Sequence, residues 1–138
     1  MTGTDPLLEA TRFNGLHQGQ PFEVRLERRS AGMCLVFDGP VPAALSSDTM
    51  SAIQKAIQAT PGTRSYTDLS KCSYLGSGAI ACLMEYLRFI SPRGLGSVPV
   101  VNPHPRAITV LRMLGLVNFF IPVADDAAAT KWFAEQPR

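Results

Sequence analysis

Between Phe22 and Phe37 the chain reads as strand twice in succession, and beyond Pro42 helix-like and strand-like segments alternate to the end. This one change of hydrophobic period restricts the fold more than any other feature, because a helix pattern and a strand pattern place their apolar residues on incompatible faces. In Phe22-Glu23-Val24-Arg25-Leu26-Glu27-Arg28 apolar and charged residues alternate, as in a half-buried strand with one wet face. Ser30-Ala31-Gly32 reads as a turn, and Met33-Cys34-Leu35-Val36-Phe37 as a strand covered on both faces. A turn this short predicts an antiparallel hairpin at the edge of the sheet.

Helical spacing then takes over. Met50, Ile53 and Ile57 share a face opposite Gln54, Lys55 and Gln58, with N-caps on offer at Ser46, Ser47 and Asp48 and a stop at Pro61-Gly62. Ser65 to Leu69 reads as a short strand. Ile80, Leu83, Met84 and Leu87 mark the clearest helix, which Pro92 and Gly94 end. Val98-Pro99-Val100-Val101 is a strand with its proline near an edge or strand start. Pro105 opens a third helix with Ile108, Leu111 and Leu114 inward; Gly115 and Leu116 fit a Schellman cap. Phe119-Phe120-Ile121 reads as a last strand, and Asp125 or Asp126 caps a helix carrying Ala129, Trp132 and Phe133. The order predicts an α/β fold: a mixed, mostly parallel sheet of about five strands with helices packed against it. Residues 1–20 read as an N-terminal arm, either mobile or held by a turn at Leu7, Leu8 and Phe13, and residues 21–138 as a single domain.

Composition narrows the chemistry. Of 138 residues, 46% are apolar and 17% charged, enough for an ordinary core. A net charge of +2 predicts neither nucleic-acid nor membrane-surface binding. Two histidines and three cysteines are a poor supply for metal ligation or acid–base work, so no metal, no cofactor and no enzyme activity are expected. Cys34, Cys72 and Cys82 are odd in number, form no C-x-x-C pair and read as core residues of a reduced, cytoplasmic protein. No signal peptide is visible at Met1 to Asp5, and every apolar run is broken short of a membrane span.

In such a sheet a ligand crevice lies beyond the carboxyl ends of the strands. Two loops qualify: Asp38 to Ser47, and Leu75-Gly76-Ser77-Gly78-Ala79, which runs into the strongest helix. Ser77 admits two readings there. It is an N-cap, worth about 1 kcal/mol, or it is a phosphoacceptor whose phosphate takes the free N–H groups at the helix start. Gly76-Ser77-Gly78 also resembles part of a phosphate-cradling loop, but without the lysine of a P-loop or the dinucleotide spacing. No G-x-S-x-G elbow makes Ser77 a nucleophile. His17 and His104 read as loop or cap residues.

The stretch Thr67-Asp68-Leu69-Ser70-Lys71-Cys72-Ser73-Tyr74-Leu75-Gly76-Ser77-Gly78-Ala79-Ile80 resembles the signature of STAS domains, the anti-sigma factor antagonists. Leu35 to Val41 is similar to the family's strand and glycine before the first helix. Pro105-Arg106-Ala107 through Arg112-Met113-Leu114-Gly115-Leu116 is similar to its proline-led helix ending in Met-x-Gly-Leu. The three stretches stand in the family's order over residues 22 to 135. The resemblance implies a STAS-like fold and a non-enzymatic, bacterial-type signalling module of transcription regulation. Its partner would be an anti-sigma factor or serine protein kinase of the histidine-kinase-like ATPase type. By position it implies a phosphorylation site at Ser77 and a partner-binding loop of Gly76, Ser77, Gly78 and Ala79, so that phosphate on the serine releases the partner. Where the family has an aspartate before that serine this chain has Gly76; a second hydroxyl is replaced by Gly78, a glycine by Ala79 and an acid near the first loop by Pro42. Two alternatives stand beside the switch. One is a constitutive STAS scaffold in a stress-sensing complex, a STAS-containing assembly, a homodimer or a lipid-transport ATPase. The other is a nucleotide or small-molecule sensor.

Overall fold

A computed structural model describes residues 6–60, 62–91 and 96–136. Pro61, Pro92 and Gly94, read above as helix stops, and the Met1 to Asp5 terminus lie outside the described residues. The chain runs α1 (Pro6–Glu9), β1 (Phe13–His17), β2 (Gln20–Arg29), β3 (Gly32–Val41), α2 (Ser47–Gln58), β4 (Ser65–Leu75), α3 (Ser77–Ile90), β5 (Val98–Val101), α4 (Pro105–Met113), β6 (Phe120–Val123) and α5 (Asp126–Ala134). The sheet has six strands in the order β1-β2-β3-β4-β5-β6. The β1/β2 and β2/β3 pairs are antiparallel, and the three pairs from β3 to β6 are parallel. This is the mixed, mostly parallel sheet that the change of period predicts.

Three differences have local causes. The sheet gains a strand over the expected five, because Phe13 to His17 pairs with Gln20 to Val24. The β2–β3 hairpin is therefore one strand in from the edge, and β1 takes the rim. The turn between β1 and β2 is Gln18-Gly19, both with positive φ (50° and 79°), the backbone that matches the twist of a two-residue hairpin. Second, β3 does not stop at Phe37 but continues through Asp38-Gly39-Pro40-Val41. Gly39 at φ 90° absorbs a register shift against β4, and proline is tolerated at such an irregularity. Third, β4 runs on to Leu75, so Ser70 to Tyr74 is strand rather than loop.

The core is a single cluster that includes Val24, Leu35, Phe37, Ile53, Leu69, Leu83, Val100, Leu111 and Phe120. In α3 the buried residues are Ala79, Cys82, Leu83, Tyr86 and Leu87, so the apolar stripe is rotated from the expected one and Met84 is 36% exposed. The helix is apolar almost all round, and Tyr86 decides the matter. Its hydroxyl donates to the Tyr66 carbonyl at 3.0 Å, which fixes this face of the helix against β4. In α4 the buried residues are Ala107 and Leu111, whereas Leu114, expected inward, is 54% exposed at the C-cap. The Schellman cap forms as expected: Leu116 N–H donates to the Leu111 carbonyl (2.8 Å) and Gly115 N–H to that of Arg112 (3.0 Å), with Gly115 at φ 69°. Ser46 caps α2, His104 caps α4 and Asp125 caps α5, each accepting a backbone N–H. Cys34, Cys72 and Cys82 are all free and buried, and burial pushes each thiol up, Cys72 to about 12.

Candidate functional site

The two loops singled out from the sequence meet at the carboxyl ends of β3 and β4. These strands are parallel neighbours with Val41 beside Leu75, so the chain leaves both at the same end of the sheet. Gly76 N–H donates to the Val41 carbonyl at 2.9 Å, joining the two exits. One residue later α3 begins.

Gly76, not Ser77, is the N-cap of α3, and it supplies no side-chain hydrogen bond. Of the two readings of Ser77, the structure removes the cap: Ser77 is the first helical residue, its side chain is exposed, and its hydroxyl has no hydrogen-bond partner among the described residues. The first intrahelical bond to the cap comes from Ile80 N–H to the Gly76 carbonyl, 3.0 Å. The N–H groups of Ser77, Gly78 and Ala79 precede it, the positive end of the helix.

The glycines flanking Ser77 have a packing cause. Gly76 has φ −78° and ψ 170°, open to any residue. A Cβ there, however, would overlap the Pro42 carbonyl oxygen and lie 2.8 Å from Pro42 Cα. A Cβ on Gly78 would overlap the Ala44 nitrogen and lie 2.7 Å from Ala43 Cα. The Pro42-Ala43-Ala44 backbone thus lies directly on the first turn of α3. It is held there by Leu45 N–H, which donates to Cys82 Sγ at 3.1 Å, one turn further along the helix from Gly78. Two departures from the family pattern, Gly76 and Pro42, are therefore one contact. The sequence offers both loops but not their contact, because only the parallel pairing of β3 with β4 brings them together.

The space beside Gly76 and Gly78 that a phosphate-cradling loop keeps open is filled by this backbone. What remains accessible is the outward stripe of α3: Ser77, Ala81, Met84 and Arg88, all exposed. From Gly39 to Ser47 and from Gly76 to Met84, no side chain carries a charge at neutral pH. Upstream, the half-exposed Tyr74 stacks on His17 from β1, with ring centroids 5.1 Å apart and planes 3° apart. The arm residue His17 is in this way tied to the strand that leads into the site. Of the other residues singled out from the sequence, Ala79 is wholly buried, and His104 lies at the α4 cap. Among the described residues no three histidine, cysteine or acidic side chains cluster as metal ligands, and no helix is long and apolar enough to cross a membrane.

No family model matches the chain, and no curated protein matches it. A solved structure does. The anti-sigma factor antagonist SpoIIAA in its unphosphorylated form is 16% identical, aligns over 83% of this chain and 99% of that one, and superposes with a TM-score of 0.56. The chain therefore has a STAS-like fold.

Proposed function

We propose that this STAS-like chain is a non-enzymatic docking module of the anti-sigma factor antagonist kind, switched by phosphorylation of Ser77. The observation that supports this reading is the state of that serine: exposed, unbonded, first in its helix, and set in an uncharged surface. A phosphate brings about −1.5 to −2 charges. On this surface it has the N–H groups of the first helical turn beside it, and no carboxylate between Gly39 and Ser47 or between Gly76 and Met84 to repel it. It converts the neutral stripe of Ser77, Ala81 and Met84 into an anionic one, which a docked partner would have to desolvate without a counter-ion. The partner class is a histidine-kinase-like ATPase acting as anti-sigma factor and serine kinase.

Incubation with such a kinase and Mg-ATP, followed by peptide mass spectrometry, is expected to place one phosphate on Ser77. Ser77→Ala should keep partner binding, and Ser77→Asp should weaken it at least about tenfold. Phosphate on another residue, or equal binding by the two variants, overturns the switch. A second reading, the constitutive scaffold, is favoured by the filled cleft and by Gly76 and Pro42 standing where the family has acids. It expects equal binding and no phosphate. The packed Pro42 to Ala44 backbone counts against nucleotide binding at Gly76-Ser77-Gly78.

A further inference from the structure

At the other end of β4 and α3 from Ser77 lies a cavity of about 660 Å³, within the usual size of a small-molecule site. Its apolar wall is Trp132 and Phe133, its polar rim Ser65, Ser91 and Ser97, and Arg64 is the one ionised group among its described lining residues. We infer that this cavity is a binding site for a small aromatic anion, a planar ring bearing a carboxylate or phosphate, with the anion on Arg64 and the ring against Trp132.

Three observations carry the inference. First, Arg64 makes no ion pair among the described residues; its guanidinium lies over the Phe133 ring, 5.4 Å from the centroid. The half-buried arginines of β2, Arg25 and Arg29, are by contrast paired to carboxylates. A cation beside a cavity with no acid among its described lining residues leaves its fork of donors for an anion from outside. Second, Arg64 is held by its backbone. Its carbonyl accepts from Met33 N–H at 2.8 Å, and Gly32, at φ 140°, lets the turn close against that same carbonyl, where a Cβ would overlap it. Third, the aromatic wall is fixed: Trp132 meets Phe133 edge-on at 5.4 Å, and Phe133 meets Tyr66 edge-on at 6.2 Å.

Helix ends decide where the charge must sit. α3 and α5 finish beside the cavity, and helix carbonyl ends repel an anion. Part of that field is quenched: Ser91 N–H donates to the Leu87 carbonyl (2.8 Å) and the Gln136 amide to that of Trp132 (3.1 Å). The anion is therefore placed on Arg64, at the Phe133 side, and the uncharged ring toward the helix ends.

The chain has one tryptophan, so Trp132 supplies a single indole N–H resonance. Titration of the intact protein with benzoate and with phenyl phosphate is expected to shift that resonance saturably. Benzyl alcohol and benzylammonium, the neutral and cationic comparators, should bind at least about tenfold more weakly. Arg64→Gln, verified as folded by an unchanged thermal transition, should lower anion affinity about tenfold; preference for one anion over the other names its headgroup. No saturable shift with either anion, equal binding of a comparator, or an unaltered affinity in Arg64→Gln overturns the site. None of these results bears on Ser77.

Discussion

Arg29→Ala is expected to cost about 2–3 kcal/mol of stability at pH 7, the worth of charge-assisted hydrogen bonds in a half-buried cluster, below that of a fully buried one. The Arg29 guanidinium reaches three carboxylates from three elements: Asp68 of β4 at 2.7 Å, Glu27 of β2 at 2.7 Å and Asp126 of α5 at 3.4 Å. Asp126 also accepts from the Tyr66 hydroxyl at 2.9 Å, and Asp68 from the amide and hydroxyl of Ser70 at 2.8 and 2.7 Å. Removing the cation leaves the three acids facing one another in a half-buried place. Asp126→Asn keeps the other two pairs and should cost about 1 kcal/mol. Burial opposes ionisation of Asp68, but the Ser70 hydrogen bonds and Arg29 outweigh it and hold the carboxyl below its ordinary value; Glu27 is lowered likewise against burial by Arg29 and Arg25. A depressed carboxylate stabilises above its unfolded pKa and loses that contribution as pH falls through the folded one. The gap between wild type and Arg29→Ala, read by urea unfolding, should therefore be full at pH 7 and shrink below about pH 4. A gap that stays constant down to pH 3 would show that packing of the side chain, not charge, is responsible.

Restoring the family's residues around Ser77 is expected to harm this protein. Gly76→Asp and Gly78→Ser should each cost about 1–3 kcal/mol by forcing the Pro42 to Ala44 backbone off α3, a fall in Tm of roughly 3–15 °C for a chain of this size. The cost comes from overlap and not from φ, since Gly76 already has an extended backbone. Gly76→Ala should therefore cost nearly as much as Gly76→Asp, whereas Gly19→Ala, with nothing within 4 Å of its added Cβ, meets only the strain of its positive φ. Thermal melting of the variants checks this. An unchanged Tm in Gly76→Ala would mean that the loop yields freely, and that the cleft beside Ser77 opens for an acid or a ligand after all.

These expectations rest on different depths of information. The strand alternation from Phe22 to Arg28, the Schellman signal at Gly115-Leu116 and the caps at Ser46 and Asp125 are legible because each is set by neighbours a few residues away. β1 was not: Phe13-Asn14-Gly15-Leu16-His17 has a glycine where a partner must fit, its Cβ position being filled by the Phe22 ring, and only the Gln18-Gly19 turn hints at a hairpin. The inward face of α3 is not legible in its sequence because an almost uniformly apolar helix carries no direction of its own. Tyr86 supplies one only when the Tyr66 carbonyl is there to receive its hydroxyl.

By itself the sequence determined the layering of this protein, its parallel crossovers and the position of Ser77 at the start of its most apolar helix. Local periodicity and turn chemistry suffice for those. Only the tertiary structure decided that Ser77 is not a cap, that Gly76 and Gly78 exist to admit the Pro42 to Ala44 backbone, and that Arg64 lies over Phe133 with no ion pair among the described residues. The last two are contacts between segments far apart in the chain, and the first of them shows the cause most clearly. Its cause is a strand pairing, and strand pairing leaves no periodic mark on either of the segments it joins.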